Sequence, residues 1–342
     1  MRVLGIETSC DETSASVVED GTVILSNVTA TQEEFHRKYA GVVPEIASRR
    51  HHRTINYVIE QCLQEAGLGF GDLDAVAVTA YPGLIGSLLV GVTAAKTLSF
   101  ALGIPLLGVN HIEAHLYSVQ FENRVRHPLV GLIISGGHTL LVRAEGVGGY
   151  EILGSTLDDA VGEAFDKVSK HLGLGYPGGP AIERAAEQGD ERAYDFPRVT
   201  LNGGTDRYNF SYSGLKNAVI NQRKRFRARP GEETVADVAA SFQAAATDVL
   251  LTKARWACGD SGINRVALAG GVANNTRVRE LFRADTSLEV YLPSRSLTTD
   301  NAAMVAGLAY HKLARGERSH LDLEPRSRLA GITRGKRSVH EH

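Results

Sequence analysis

Short apolar runs alternate along the first part of the chain with longer segments of helical periodicity. The apolar runs predict strands at residues 2–7, 15–21, 22–30, 74–80 and 105–109. The helical periodicity predicts helices at residues 44–66, 84–102 and 110–118. Strands and helices that alternate in this way predict an α/β fold.

The pattern starts again near Pro128 with a second strand hairpin. Residues 129–146 read as a strand, a glycine turn and a strand, which is the layout of residues 2–21 about 125 positions earlier. This repeat predicts two domains of one architecture, each folding a loop over a shared cleft, as in the duplicated actin-like nucleotide-binding folds. Because any two hairpins share such a layout, chance similarity is the alternative.

The rest of the chain continues the alternation. Helical periodicity predicts helices at residues 155–172, 180–188, 213–229, 232–257, from about 275, and 298–316. Two more apolar runs predict strands at residues 265–269 and 289–293. We therefore expect an N-terminal domain of residues 1–127 plus 303–325, a C-terminal domain of residues 128–302 with an insertion at about 195–230, and a polar tail at 326–342.

The composition is that of an ordinary globular protein. A chain of 342 residues that is 43% hydrophobic and 22% charged predicts two domains with apolar cores. The formal net charge of −2 gives no overall attraction to nucleic acid, so such binding would need a local patch. The cysteines, Cys10, Cys62 and Cys258, lie far apart, which favours reduced thiols and a cytoplasmic location over a thiolate metal site. No secretory signal and no apolar stretch of ~20 residues is visible, so we expect no membrane association.

Residues 110–118 contain a pair of histidines at helical spacing. His111 and His115 are one turn apart and project from one face of the predicted helix, which suits two imidazole ligands of one zinc or transition-metal ion. The motif differs from the His-Glu-x-x-His of zinc peptidases, because Glu113 lies about 200° around the helix from His111 and points away from such a metal. A histidine pair on a surface helix is the alternative.

Three carboxylates are candidates for chemistry. Asp300 precedes the terminal helix, where it would cap the helix or, alternatively, complete a site of two histidines and one carboxylate. Asp11 and Glu12, in the first loop, would bind water, cap a turn or act on a substrate.

Two glycine loops follow buried strands. The first, residues 133–139, places Gly136 and Gly137 where backbone N–H groups can face an anion, and a plain glycine hairpin is the alternative. The second, residues 269–275, has the layout of a nucleotide-contacting turn, with helix capping by Asn275 as the alternative. Neither loop is a Walker A motif, so P-loop chemistry is not expected.

A basic run ends the helix predicted at 213–229. Arg223, Lys224 and Arg225 begin a group of five cations around Phe226. Such a run is typical of a solvated helix end, and it is also what contact with the phosphates of a nucleic acid uses.

These motifs, taken together and in order, resemble those of the TsaD (Gcp) family. The resemblance is carried by GIETSCDETSAS, NHIEAH, ISGGHT, GEAFDKVSKHLGLGYPGGP, FSYSGLKNAV, AGGVANN and TTDNAAMVA, which extend from residue 5 to about residue 310. It implies an ASKHA (actin-like, Hsp70-like) fold of two duplicated α/β domains around a central cleft. It also implies an acyltransferase that moves the threonylcarbamoyl group of threonylcarbamoyl-AMP to the exocyclic amine of the adenosine 3′ of the anticodon, in tRNAs that read ANN codons.

The resemblance also implies a set of site residues. It assigns one divalent metal ion, iron(II) or zinc, to His111, His115 and Asp300. It assigns the threonylcarbamoyl-adenylate to a second set, namely Ile133, Ile134, Ser135, Gly136, Gly137, Asp166, Gly179, Glu183 and Asn275. Many members have Asp where this chain has Glu183, which is one methylene longer. The base is not assigned by the resemblance, and our candidates are Asp11 and Glu12.

The resemblance also implies three partners, namely tRNA, an inactive paralogue similar to TsaB and an ATPase similar to TsaE. Two other functions stay open at this point. A zinc-dependent glycoprotein endopeptidase would use the paired histidines, and an actin-like ATPase or small-molecule kinase would use the duplicated hairpins.

Overall fold

The computed structural model describes residues 1–39, 41–201, 203–228 and 233–328, without the side chains of residues 205 and 222–224. The predicted tail beyond residue 328 lies outside the described residues. The strands are β1 (Arg2–Glu7), β2 (Glu12–Glu19), β3 (Val23–Thr31), β4 (Ala75–Tyr81), β5 (Leu106–Asn110), β6 (Leu129–Ile134), β7 (Thr139–Gly146), β8 (Gly149–Ser155), β9 (Arg265–Ala269) and β10 (Glu289–Tyr291). The α-helices are α1 (Glu33–Arg37), α2 (Pro44–Ala66), α3 (Ile85–Leu102), α4 (His111–Tyr117), α5 (Val161–Leu172), α6 (Gly178–Ala186), α7 (Ser213–Gln222), α8 (Val235–Ser261), α9 (Thr276–Arg283) and α10 (Ala302–Ala314).

The described chain forms two compact units. Unit 1 consists of Met1–Val125 together with the described residues from Pro293 onward, and unit 2 consists of Arg126–Leu292. The first boundary lies two residues before the expected one. The second lies at Leu292, so residues 293–302, which we had assigned to the C-terminal domain, are in unit 1.

Unit 1 is built on a five-stranded sheet in the order β3-β2-β1-β4-β5. The first three strands form an antiparallel meander, and β4 and β5 then run parallel to β1. Because strand side chains alternate between faces, Leu4 and Ile6 join the apolar core that includes Ile55 and Val58 of α2. Gly5 faces the other side, where the backbone of α10 lies against it. The sheet is therefore covered on both faces.

Unit 2 repeats this topology in the order β8-β7-β6-β9-β10. Here too an antiparallel meander precedes two strands parallel to its first member, β9 beside β6 and β10 beside β9. The apolar core of the unit packs around α8, in which Phe242 is fully buried against Phe165 of α5. Matching sheets in the two units confirm that the repeated hairpin reflects a duplicated architecture.

The sequence analysis missed β8 and began α5 too early. Residues 149–155 form an edge strand, and α5 starts at Val161 instead of residue 155. The pairing of β8 with β7 shifts register twice, near Leu141 and near Ala144. Such irregularities break the strict alternation of apolar and polar residues, which is the signal by which a strand is predicted.

Helix α3 bears on our expectation that the chain has no apolar stretch of ~20 residues. By length and composition it is the one helix among the described residues that could cross a membrane, and 33% of its 18 residues are buried. It packs against α2 and β4. Since core helices of soluble proteins pass the same test, one such helix is weak evidence for a membrane span.

We predict that Gly5→Ala destabilises unit 1. A Cβ atom at this position would meet the Ala302 carbonyl and lie 2.9 Å from the backbone nitrogen of Ala306, neither of which can move without moving α10. Overpacking of this kind costs about 1–3 kcal/mol. Chemical denaturation should therefore give a lower midpoint, whereas Gly71→Ala, where the added atom meets nothing within 4 Å, should not. Equal midpoints for the two variants would contradict this packing.

Candidate functional site

The two histidines are held where parallel strands of unit 1 end. Strand β5 ends at Asn110, and α4 begins at the next residue, His111. The Asn110 side chain accepts a hydrogen bond from the Ile112 N–H and so caps the helix. Because β1, β4 and β5 are parallel, their carboxyl ends lie along one edge of the sheet, the usual place for a site in such folds.

His111, His115 and Asp300 form a cluster whose ligand atoms lie within 4.8 Å of one another. Asp300 Oδ1 is 3.0 Å from His115 Nε2 and 3.6 Å from His111 Nε2. The histidine side chains are 7% and 0% exposed, so the alternative of a surface pair is wrong. The structure thus brings together all three residues of the expected metal site.

The residues fit a metal ion. Neither ring nitrogen of His115 makes a hydrogen bond to any residue that the structure describes, although Nε2 lies near Asp300. An unpartnered buried nitrogen is costly, and a metal ion bound through Nε2 would compensate for the lost hydration. Two imidazoles with one carboxylate are a donor set that suits iron(II) or zinc.

Glu7, at the end of β1, orients His111. Its Oε2 accepts a hydrogen bond from His111 Nδ1 at 3.0 Å and another from the Thr79 hydroxyl at 2.5 Å. A carboxylate on Nδ1 leaves Nε2 facing Asp300, as in many metal-binding histidines. Burial lowers the pKa of His111, but the Asp300 and Glu7 carboxylates outweigh it and raise the pKa to about 9. The sequence analysis did not identify Glu7, although a charged residue at the end of an apolar strand was a usable signal.

Asp11 and Glu12 lie in the same unit, at the start of β2. Burial raises the pKa of Glu12 well above its usual value, and the Asp11 and Asp300 carboxylates raise it further. Glu12 therefore lies within electrostatic range of the Glu7, Asp11 and Asp300 carboxylates, and a cation bound beside Asp300 would relieve their mutual repulsion.

Two expectations about neighbouring residues are settled by the structure. Asn301, not Asp300, caps α10 by accepting a hydrogen bond from the Met304 N–H, so the capping alternative for Asp300 is wrong. Glu113 forms an ion pair with Lys312 of α10 at 3.1 Å, which confirms that it points away from the histidine pair. It is not placed to act as the base of a zinc peptidase.

The first glycine loop, in unit 2, connects β6 to β7. Gly136 and Gly137 are exposed, and Ser135 closes the turn by donating its N–H to the His138 carbonyl at 2.8 Å. Ile133 and Ile134 are fully buried in the sheet, so a ligand would reach only their backbone. Of the ligand contacts expected in this loop, Gly136, Gly137 and Ser135 are the accessible ones.

Asp166 and Gly179 lie at the junction of α5 and α6. Asp166 Oδ1 accepts a hydrogen bond from the Gly178 N–H at 2.7 Å and so fixes the start of α6. A Cβ atom on Gly178 would collide with the backbone of Asp166, whereas one on Gly179 would meet nothing within 4 Å. Gly179 therefore has open space beside it, which permits close approach of a ligand to its backbone.

Asn275 is hydrogen-bonded both to Glu183 and to Gln243, a residue that the sequence analysis did not identify. The Asn275 side chain caps α9 through Oδ1 and donates from Nδ2 to Gln243 Oε1 at 2.8 Å and to Glu183 Oε2 at 3.3 Å. Glu183 Oε1 accepts the Thr276 N–H at 2.9 Å. Gln243 lies in the middle of α8 and is 7% exposed. A lone amide within the apolar stretch AASFQAAAT was the signal that could have identified it.

The basic run is described only in part. The expectations for Arg223 and Lys224 fall on side chains outside those that the structure describes. The side chain of Arg225 is exposed, and its guanidinium group lies 6.0 Å from the centre of the Phe226 ring.

The family model described as TsaD, tRNA N6-adenosine threonylcarbamoyltransferase, matches residues 23–307. A protein of that name from Brachyspira hyodysenteriae is 50% identical over 91% of this chain and 91% of its own length. Another from Treponema denticola is 47% identical over 98% of this chain and 99% of its own length.

Solved structures are similar in fold at low identity. Component A of the (R)-2-hydroxyglutaryl-CoA dehydratase from Acidaminococcus fermentans has a TM-score of 0.55 and 15% identity, over 92% of this chain and 99% of its own. Full-length HypF, solved with phosphate and nucleotide, has a TM-score of 0.60 and 15% identity, over 91% of this chain and 55% of its own. Both are ASKHA-type proteins, which confirms the expected fold.

We predict that Asp300→Asn lowers metal content without unfolding α10. Because Asn301 caps that helix, the substitution removes a ligand charge and leaves the cap intact. Elemental analysis of the purified variant should find much less bound metal than in the wild type, with unchanged circular dichroism. A variant that keeps a full equivalent of metal would show that the carboxylate is not a ligand.

Proposed function

The chain belongs to the TsaD family of tRNA N6-adenosine threonylcarbamoyltransferases, and from this premise we propose which residues carry each part of the reaction. It is a transferase that forms threonylcarbamoyl-adenosine in tRNA, because relatives of that name match more than nine-tenths of its length. The metal, the donor contacts, the base and the protein partners are our proposals.

The proposed donor is threonylcarbamoyl-AMP, a mixed anhydride. The N6 amine of the tRNA adenosine attacks the carbamoyl carbon, a new C–N bond forms, the C–O bond to the phosphate breaks, and AMP leaves while the amine loses a proton. An aromatic amine is a poor nucleophile. The protein must therefore position it and stabilise the negative charge that develops on the carbonyl oxygen.

Residues of unit 2 are proposed to hold the adenylate. The exposed backbone of Gly136 and Gly137 suits an anionic phosphate, with the Ser135 hydroxyl as a further donor. Open space at Gly179 permits a nucleoside to lie against the start of α6. Glu183 and Asn275, fixed by their mutual hydrogen bond, are the proposed contacts to the ribose.

His111, His115 and Asp300 are proposed to hold one divalent metal ion, with iron(II) favoured and zinc as the alternative. The convergence of the three ligand atoms within 4.8 Å, two of them on buried imidazoles, is the observation that carries this assignment. When bound, the ion would supply a Lewis acid that orients and polarises the threonylcarbamoyl group. Glu7 accepts the Nδ1 proton of His111, so Nε2 is the nitrogen that would bind the ion.

Asp11 and Glu12 are our candidates for the group that takes the amine proton. Glu12 is favoured because it begins β2, close enough to the Asp300 carboxylate for the two charges to interact. A general base must lie near the proton that it accepts.

The proposed partners are an inactive paralogue similar to TsaB and an ATPase similar to TsaE, in the cytoplasm where tRNA is found. The outer surface of α2 and α3 supports a protein partner, since Ile85, Leu89 and Phe100 lie on one stripe of α3 and are 55%, 55% and 76% exposed. We propose that this stripe contacts the paralogue.

The two rival functions are less favoured. A zinc peptidase needs a base beside the metal, and Glu113 is instead paired with Lys312. A kinase or ATPase shares the fold, but fold alone does not determine the reaction, and the named relatives at 47–50% identity are transferases.

Incubation with tRNA and threonylcarbamoyl-AMP tests the function. The reaction is run once with the proposed partners and once without them. We expect the nucleosides of the treated tRNA to gain the mass of a threonylcarbamoyl group, with one AMP released per modified adenosine. A tRNA carrying guanosine in place of the adenosine 3′ of the anticodon is the control. Unchanged nucleosides under all conditions would refute the transferase assignment.

We predict that replacing Arg223, Lys224 and Arg225 by Gln weakens tRNA binding. If each cation contacts a phosphate, the slope of log affinity against log salt should fall by up to about three phosphate charges. Binding of threonylcarbamoyl-AMP, which needs no such contact, should not change. A salt dependence identical to that of the wild type would mean that the run is a solvated helix end.

A further inference from the structure

The loop from residue 8 to residue 11 connects β1 to β2 in unit 1 and precedes Glu12. Separate elements hold its two ends. The Thr8 hydroxyl donates to the Ser87 carbonyl of α3 at 2.9 Å, and the Asp11 carbonyl accepts the Gln32 N–H at 3.2 Å. The loop is therefore a fixed support for Asp11 and Glu12.

His51 of α2 holds the middle of this loop. It is fully buried, and its Nε2 lies 3.0 Å from the Cys10 carbonyl oxygen. A carbonyl oxygen only accepts, so the ring proton is on Nε2. Nδ1 then accepts hydrogen bonds from the Thr13 hydroxyl at 2.8 Å and from the Gln32 amide at 3.3 Å. These contacts fix both the tautomer and the orientation of the ring.

We propose that His51 is a positioning residue for the transferase, which sets the location of Asp11 and Glu12 by anchoring the Cys10 carbonyl. The inference rests on the proposed role of those two carboxylates. No contact of His51 with a substrate is needed, because its effect passes through the loop backbone.

The expected loss of rate follows from the position of Cys10 directly before Asp11 and Glu12 in the chain. Asp11 is the next residue after Cys10, so loss of the anchor moves the carboxylates directly. A displacement of about 1 Å in a catalytic group can cost ~100-fold in rate.

His111 is held by Glu7, which Thr79 of β4 holds in turn. The loop also contacts both residues through Ser9, but the Leu84 N–H fixes the Ser9 carbonyl independently of His51, so metal binding should be retained.

Two substitutions of His51 distinguish the contact of Nε2 with Cys10 from the contact of Nδ1 with Thr13. His51→Gln places an amide N–H near the position of Nε2 and can keep the bond to Cys10. His51→Asn reaches only the position of Nδ1, so it can keep the contact with Thr13 but loses the anchor. His171→Asn, on the exposed end of α5, is the matched control. Each full-length protein is assayed with its partners for kcat, for KM of tRNA and of threonylcarbamoyl-AMP, and for metal content.

We expect His51→Asn to lower kcat by about ten- to a hundredfold, with both KM values and the metal content near those of the wild type. His51→Gln should restore most of kcat. An Asn variant with the wild-type kcat, or equal losses in the Gln and Asn variants, would overturn the proposal. If the His51 variants do not fold, Thr13→Val, which removes the hydroxyl that orients the ring, must lower kcat for the proposal to stand.

A second measurement needs no activity. Burial and nearby carboxylates raise the pKa of the Cys10 thiol well above its usual value, so it should react slowly with iodoacetamide in the wild type. Loss of the anchor should speed modification of Cys10 in His51→Asn but not in His51→Gln. An unchanged rate in His51→Asn would refute the anchor. A wild type that modifies no tRNA would instead count against the proposed function, whatever the labelling result.

Discussion

The buried hydrogen bond between Glu7 and His111 is the interaction on which the candidate metal site depends. It links the end of β1 to the first residue of α4, and Thr79 at the end of β4 completes it. The Glu7 carboxylate has no exposed surface. Its burial is tolerated because it accepts hydrogen bonds from three donors, namely the His111 ring, the Thr79 hydroxyl and the Ser9 N–H. Burial alone would raise the pKa of Glu7, but the neighbouring His111 outweighs it and the pKa is lowered. Removal of either partner would leave the other in the core without this opposite charge.

The same topology serves different chemistry in the two units. In unit 1, the ends of β1 and β5 carry Glu7 and His111, which support a metal site. In unit 2, glycine turns follow β6, which corresponds to β1, and β9, which corresponds to β4, and acidic groups of this unit fix helix starts. The fold explains where each site lies, because strand ends are the positions at which buried elements become accessible. The residues at those ends determine what each site can bind.

Much of the fold and part of the site could be predicted from sequence. The strands of both hairpins and the long helices follow from periodicity, and the spacing of His111 and His115 predicts a shared face. Glu7 and Gln243 are unusual polar residues in apolar segments, which marks them as candidates. The residues that they contact, His111 and Asn275, could not be predicted, because they are far away in the chain and no period connects them. The family resemblance supplied Asp300, for which local reasoning favoured a helix cap. Only tertiary structure shows that Asn301 fills that role.

The Glu183 side chain is one methylene longer than the expected Asp, and its contacts show how unit 2 accommodates the extra length. The family resemblance leads to an expectation of Asp at this position, and the longer side chain here accepts the Thr276 N–H at the start of α9 and a hydrogen bond from the Asn275 amide. A carboxylate has about four acceptor positions, and these two bonds use one on each oxygen. The remaining positions can accept from hydroxyl groups of a ribose. The contacts to α9 also restrict the rotamers of Glu183, which lowers the entropy that a ligand would otherwise have to overcome. The departure from Asp is therefore compatible with the proposed ribose contact, because unit 2 itself orients the longer side chain.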